Sequence, residues 1–104
     1  MNEIFKALSH PTRREIIGLL RDGPMASGDI AGLFDMSWPT ITGHLNVLRD
    51  AGLVEVERLG VSMRYRLNIS AIEDAVGFLM DVLGTGKARA GARLRPKRKG
   101  NVTP

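Results

Sequence analysis

The stretch Ser37-Trp-Pro-Thr-Ile-Thr-Gly-His-Leu-Asn-Val-Leu-Arg-Asp-Ala-Gly-Leu-Val54 separates into two faces when laid out at about 100° per residue. Ile41, Leu45 and Leu48 form one narrow apolar stripe. Pro39, Thr42, Gly43, Asn46 and Asp50 fall opposite, with Thr40 beside them. That outer face is polar yet almost uncharged. A solvated helix face ordinarily carries Lys and Glu, whereas short hydroxyls and an amide suit close approach to base edges in a major groove. Upstream, Ser27-Gly-Asp-Ile-Ala-Gly-Leu-Phe34 reads as a short helix and Asp35-Met36 as a tight turn. Helix, turn and polar-faced second helix together predict a helix-turn-helix with double-stranded DNA as its partner.

The rest of the chain is punctuated in the same way. Residues 2–9 place Ile4, Phe5 and Leu8 at helical spacing, a short first helix. Pro11 suits the first position of a second helix, where its missing N–H costs nothing. That helix is expected to run to about Asp22 and bury Ile16, Ile17, Leu19 and Leu20, with Gly23-Pro24 as its stop. Ser27 is the expected N-cap of the third helix, with Asp29 in its first turn, and Ser37 that of the fourth, which Gly52 ends. Leu53-Val-Glu-Val-Glu-Arg58 and Met63-Arg-Tyr-Arg-Leu67 alternate apolar and charged residues around Leu59-Gly-Val-Ser62. This pattern predicts a β-hairpin, and a hairpin directly after a recognition helix is a wing. Arg58 and Arg64, on its polar face or near its tip, are candidates for phosphate or minor-groove contact. Arg66 is read as pairing across the strands with the nearby glutamates.

Ser70 is expected to cap a last helix reaching about Leu83. Ile72, Val76, Leu79 and Leu83 make its stripe, with Ala75, Met80 and Val82 at the edges. So wide a stripe exceeds what one neighbour covers. With Ile4, Phe5 and Leu8 of the first helix, Ile72, Val76, Leu79, Met80 and Leu83 read as a homodimer interface, which would let two recognition helices grip two half-sites. The alternative is that both helices close the monomer's own core.

Composition bounds the function. A chain of 104 residues has room for one core. It contains no cysteine, which excludes disulfides, zinc ribbons and thiol chemistry. No apolar run approaches the roughly 18 residues of a membrane span, and the N-terminus has no signal-peptide h-region, so a cytoplasmic protein without membrane insertion is expected. Charge is segregated along the chain. Up to Gly86, eight basic side chains face eleven acids, a net of −3; from Lys87 onward come seven basic residues and no acid. Residues 1–84 are therefore read as a winged helix-turn-helix domain for DNA binding and dimerisation. Residues 85–104 are read as a basic tail without a fold of its own, either touching phosphate or merely solubilising.

Three segments carry a resemblance. Phe5-Lys-Ala-Leu-Ser-His-Pro-Thr-Arg-Arg-Glu-Ile-Ile17, Gly28-Asp-Ile-Ala31 and Thr42-Gly-His-Leu-Asn-Val-Leu-Arg-Asp-Ala-Gly-Leu-Val54 resemble the ArsR/SmtB family of bacterial winged-helix repressors, closest to its short, cysteine-free autorepressor branch. The resemblance implies a homodimer of α-α-α-α-β-β-α order, mainly α with a β-hairpin wing, and places Thr40, Thr42 and His44 in or at the groove. The candidate DNA-binding residues are thus Ser37, Trp38, Pro39, Thr40, Thr42, Gly43, His44, Asn46, Arg58 and Arg64. His44, at the edge of the apolar stripe, is either a half-buried core histidine or a groove contact. Trp38 either packs beneath the wing or stands out as a wedge against the backbone. At Gly43 the family often has a longer polar side chain, which shifts base reading towards Thr42 and Asn46. Arg13 and Arg14 are expected to pair with nearby acids.

Metal-responsive members of that family use cysteine pairs on the third helix or His and acidic ligands on the last. Here the third helix has only Asp29 and Asp35, and the last has Glu73, Asp74 and Asp81 without an imidazole. No metal or other cofactor is expected, since transition metals want imidazole or thiolate in a multidentate set. The residues point to no particular inducer. A sequence-specific repressor on a palindromic operator is the leading reading, and a winged-helix module for an acidic protein partner is the alternative. Neither a nucleophile–base pair nor a phosphate loop supports an enzyme.

Overall fold

Among the described residues, five helices and three strands follow the order α1 (Asn2–Ala7), α2 (Pro11–Leu19), β1 (Met25–Ala26), α3 (Ser27–Ala31), α4 (Trp38–Asp50), β2 (Val54–Leu59), β3 (Ser62–Leu67) and α5 (Ile69–Leu83), with a 3₁₀ turn at Leu20–Asp22. The computed structural model describes residues 1–84. Two units are distinguished, Met1–Ala71 and a second that begins at Ile72. The readings made for the tail, residues 85–104, lie outside the described residues.

Within the first unit the helix boundaries follow from local chemistry. Pro11 opens α2, and the residue before it, His10, sits in extended backbone as a pre-proline residue must. Its Nδ1 accepts from the Thr12 backbone N–H at 3.1 Å, so His10 is the N-cap. The α-helical part of α2 ends at Leu19, before the expected Asp22, and tightens into the 3₁₀ turn that Gly23 closes at φ 140°. Ile16 and Leu20 are buried as expected, whereas Ile17 and Leu19 are half-buried. At the end of α4, Gly52 takes φ 81°. Its N–H donates to the Arg49 carbonyl at 2.9 Å and that of Leu53 to the Leu48 carbonyl at 3.0 Å. This paired closure ends the helix and drops Leu53 into the core beside Leu48.

Two expected caps shift. Ala26, not Ser27, is the N-cap of α3, and no side chain caps that helix. The helix is also shorter than expected, ending at Ala31. Asn68 rather than Ser70 caps α5: its Oδ1 accepts from the Ala71 N–H at 3.3 Å, while its Nδ2 donates to the Gly52 carbonyl at 3.0 Å. The amide donates from Nδ2 and accepts at Oδ1, so Asn68 ties the start of α5 to the end of α4.

The hairpin is present and longer at its tip than expected. Register runs from Val54↔Leu67 to Leu59↔Ser62, leaving Gly60-Val61 as a two-residue turn with Gly60 at φ 64°. A strand that sequence patterning did not reveal joins it. Met25 and Ala26 pair antiparallel with Tyr65 and Arg64, giving the sheet order β1-β3-β2. The core of this unit gathers Ala7, Ile16, Leu20, Ile30, Leu53, Val54 and Tyr65 around the α4 stripe, where Ile41, Leu45 and Leu48 are at most 1% exposed. Each such side chain contributes about 1.5–3 kcal/mol by leaving water. In the second unit, α5 leaves Val76, Phe78, Leu79, Met80, Val82 and Leu83 exposed.

Candidate nucleic-acid interface

The apolar stripe of α4 faces inward, so its opposite side is turned to solvent. Ser37, Trp38, Pro39, Thr40 and Gly43 are exposed there, with Thr42 and Asn46 half-buried beside them. Ser37 Oγ accepts from the Thr40 N–H at 3.3 Å, as a cap should, and lies 2.8 Å from Thr40 Oγ1. Two hydroxyls are thereby ordered at the helix entry. The side chains of Thr42 and Asn46 have no hydrogen-bond partner among the described residues. Their donors and acceptors are available to a ligand. The only charges on the helix, Arg49 and Asp50, sit at its far end and contact each other at 3.4 Å.

Trp38 is 55% exposed, and its ring edge lies over Gly28 of α3, where an added Cβ would meet Cη2 at 3.4 Å. It therefore packs against α3 across the helix-turn-helix. His44 is half-buried. Its Nδ1 accepts from Arg13 Nη1 at 3.2 Å, and its ring centroid is 4.4 Å from that of His10. Burial first, then the neighbouring His10 and Arg13, hold the His44 pKa below its ordinary 6.5. Arg13 and Arg14 were expected to find acids and instead grip the carbonyls that α1 leaves open at its C-terminus. Arg13 Nε donates to Ala7 O at 2.6 Å and Nη2 to Lys6 O at 3.3 Å, and Arg14 Nη1 donates to Leu8 O at 2.9 Å. Cations belong at that end of a helix dipole.

On the wing, Arg66 pairs with Glu55 at 3.1 Å and approaches Glu57 at 4.0 Å, as the cross-strand reading expects. Arg58 and Arg64 have no ion pair among the described residues. They do not share a face. Register sets Arg58 opposite Met63, on the same side as Val56 and Tyr65, whereas Arg64 stands opposite Glu57 on the charged side. Of the residues read as a subunit interface, Ile4, Phe5, Leu8 and Ile72 are half-buried, while Val76, Leu79, Met80 and Leu83 are exposed. Among the described residues no group of three His, Asp or Glu is placed to hold a metal ion.

Comparison with known proteins agrees with this geometry. Residues 8–57 match the family model of a helix-turn-helix domain. The chain is 41% identical over 86 residues to the transcriptional repressor SdpR of Bacillus subtilis (strain 168), covering 83% of this chain and 96% of that one. It is 33% identical over 85 residues to the arsenical resistance operon repressor of Staphylococcus xylosus, covering 82% and 81%. Its fold matches an ArsR-like transcriptional regulator from Rhodococcus sp. RHA1 with a TM-score of 0.71 at 29% identity, over 90% of this chain and 88% of the other. The helix-turn-helix, the wing and these relatives together establish that the chain belongs to the ArsR/SmtB family of winged-helix, DNA-binding transcriptional repressors.

Proposed function

We propose that this repressor binds a palindromic operator as a homodimer, works in the cytoplasm without a metal or other cofactor, and catalyses no reaction. The observation that carries the reading is the uncharged polar face of α4, on which Thr42 and Asn46 keep their hydrogen-bonding groups unspent. In this reading they contact base edges. Ser37, Thr40 and His44, with Trp38, Pro39 and Gly43, line the approach to the backbone, and Arg58 and Arg64 reach phosphates from the wing. The exposed apolar residues of α5, Val76, Leu79 and Leu83 among them, support dimerisation. No helix among the described residues is long and apolar enough to cross a membrane.

Selection of the full chain against a pool of random duplexes tests the proposal. Enriched duplexes should share an inverted repeat, bind two chains each and be protected over both half-sites in a footprint. Leu79→Asp should give monomers by light scattering with the helical circular dichroism kept, because the introduced charge opposes burial of an apolar face. A pool that never enriches a sequence would leave protein partners as the ligands of this surface.

A further inference from the structure

The side chains of His10, Arg13 and His44 meet where α1 ends, α2 begins and α4 passes. Arg13 spends all three nitrogens there, Nε and Nη2 on the carbonyls of Ala7 and Lys6 and Nη1 on His44 Nδ1. A guanidinium has no acceptor, so His44 Nδ1 must offer a lone pair. His10 Nδ1 likewise offers a lone pair to the Thr12 N–H. A neutral imidazole carries one proton, which in both rings must then sit on Nε2. The rings are 4.4 Å apart, inclined at 45°. A second proton on either ring goes to Nδ1. On His44 it would set N–H against N–H of Arg13, and on His10 it would abolish the N-cap of α2. Two imidazolium rings at that separation, beside a guanidinium, also repel.

From this geometry we infer that Arg13 is a positioning residue for α4, and that His10, Arg13 and His44 form a proton-sensitive latch. The latch is closed while the His44 imidazole is neutral and opens when it takes up a proton. Its consequence for operator binding rests on the DNA-facing role of α4, whereas the latch itself can be read without DNA. Among the described residues the titratable or charged groups acting on His44 are His10 and Arg13, with no carboxylate to offset them. Because the folded pKa of His44 lies below 6.5, the latch contributes in full above that value and is lost as pH falls through the lower, folded one.

The test uses the full chain with isotope-labelled histidine. Long-range proton–nitrogen spectra at about pH 8 should show both rings protonated on Nε2. A His44 ring protonated on Nδ1, or exchanging between the two forms, overturns the latch. On acidification to about pH 5 at constant ionic strength, the thermal midpoint should fall. Affinity for a duplex selected from a random pool should fall with it, by up to about tenfold per pH unit for one proton taken up. Affinity that rises on acidification, as a purely phosphate-binding His44 requires, also overturns it. His10→Asn/His44→Asn keeps a neutral acceptor where each Nδ1 stands and should flatten both profiles, whatever its affinity at the upper pH. Arg13→Lys keeps the charge without the fork and should release the His44 tautomer. Where a variant does not fold, the wild-type spectra and thermal profile decide. Where no duplex binds at any pH, the DNA reading fails and those two measurements still judge the latch.

Discussion

At the scale of single residues the recognition surface is defined as much by what is missing as by what is present. Thr42 and Asn46 are the two half-buried polar side chains of α4 without an internal partner among the described residues. Thr42→Ala or Asn46→Ala should therefore cost about 1–3 kcal/mol on the selected duplex and little on a scrambled one. Equal losses on both duplexes, measured by titration at fixed salt, would make these residues positioning contacts only. Between them Gly43 faces open space, with nothing within 4 Å of where a Cβ would stand. Glycine inside a helix sacrifices backbone entropy without return. Gly43→Ala should raise unfolding stability by about 0.5–1 kcal/mol in a urea titration. If duplex affinity falls in the same variant, the gap at Gly43 admits backbone or base atoms closely.

At the scale of elements, turn chemistry decides whether the wing forms. Gly60 adopts φ 64° at the first position of a two-residue hairpin turn. Gly60→Asn should be nearly neutral, since Asn tolerates the left-handed region, whereas Gly60→Val should cost about 1–2 kcal/mol or more, read from thermal unfolding. Most elements were legible because their signals are local: Pro11 at a helix start, the Ile41-Leu45-Leu48 stripe, Gly52 at a helix end, alternation along the hairpin. What sequence reading missed depends on partners distant in the chain. Met25-Ala26 is too short to show a period and becomes a strand only because β3 offers an edge. Asn68 displaces Ser70 as a cap because the Gly52 carbonyl lies within reach of the same amide. Arg13 and Arg14 turn to carbonyls because the C-terminal end of α1 lies within reach of their guanidinium groups. The opposed faces of Arg58 and Arg64 follow from alternation that starts at Val54, although charge alone suggested they lay together. Within the candidate interface, the exposure of Ser37, Trp38, Pro39, Thr40 and Gly43 was readable from the helix period, while the meeting of His44 with His10 and Arg13 was not, since it joins residues more than thirty apart in sequence.

At the scale of the whole molecule, charge and topology matter most. The described residues carry eight basic and eleven acidic side chains, and we propose that broad attraction to DNA comes chiefly from the seven basic residues after Gly86. Each phosphate those residues neutralise should add about −0.9 to the slope of log affinity against log salt. Truncation after Gly86 should flatten that slope and weaken selected and scrambled duplexes by similar factors, leaving the preference between them intact. An unchanged slope would assign the tail no contact with DNA. Topology bears on a different property. Pairing of Ala26 with Arg64 closes a long loop of chain, and α3, α4 and β2 all lie inside it. Closing such a loop sacrifices chain entropy that only a few strand hydrogen bonds return, whereas α4, its Gly52 closure and the β2–β3 hairpin assemble from neighbours. The part of the molecule proposed to read DNA is thus expected to form early and the β1 edge to zip shut last. In stopped-flow refolding, Met25→Ala should quicken unfolding and leave the folding rate nearly unchanged, and a slowed folding limb would place the edge in the nucleus. A repressor built in this order would hold its recognition helix together through transient openings of the sheet edge, the first place for a protease to enter.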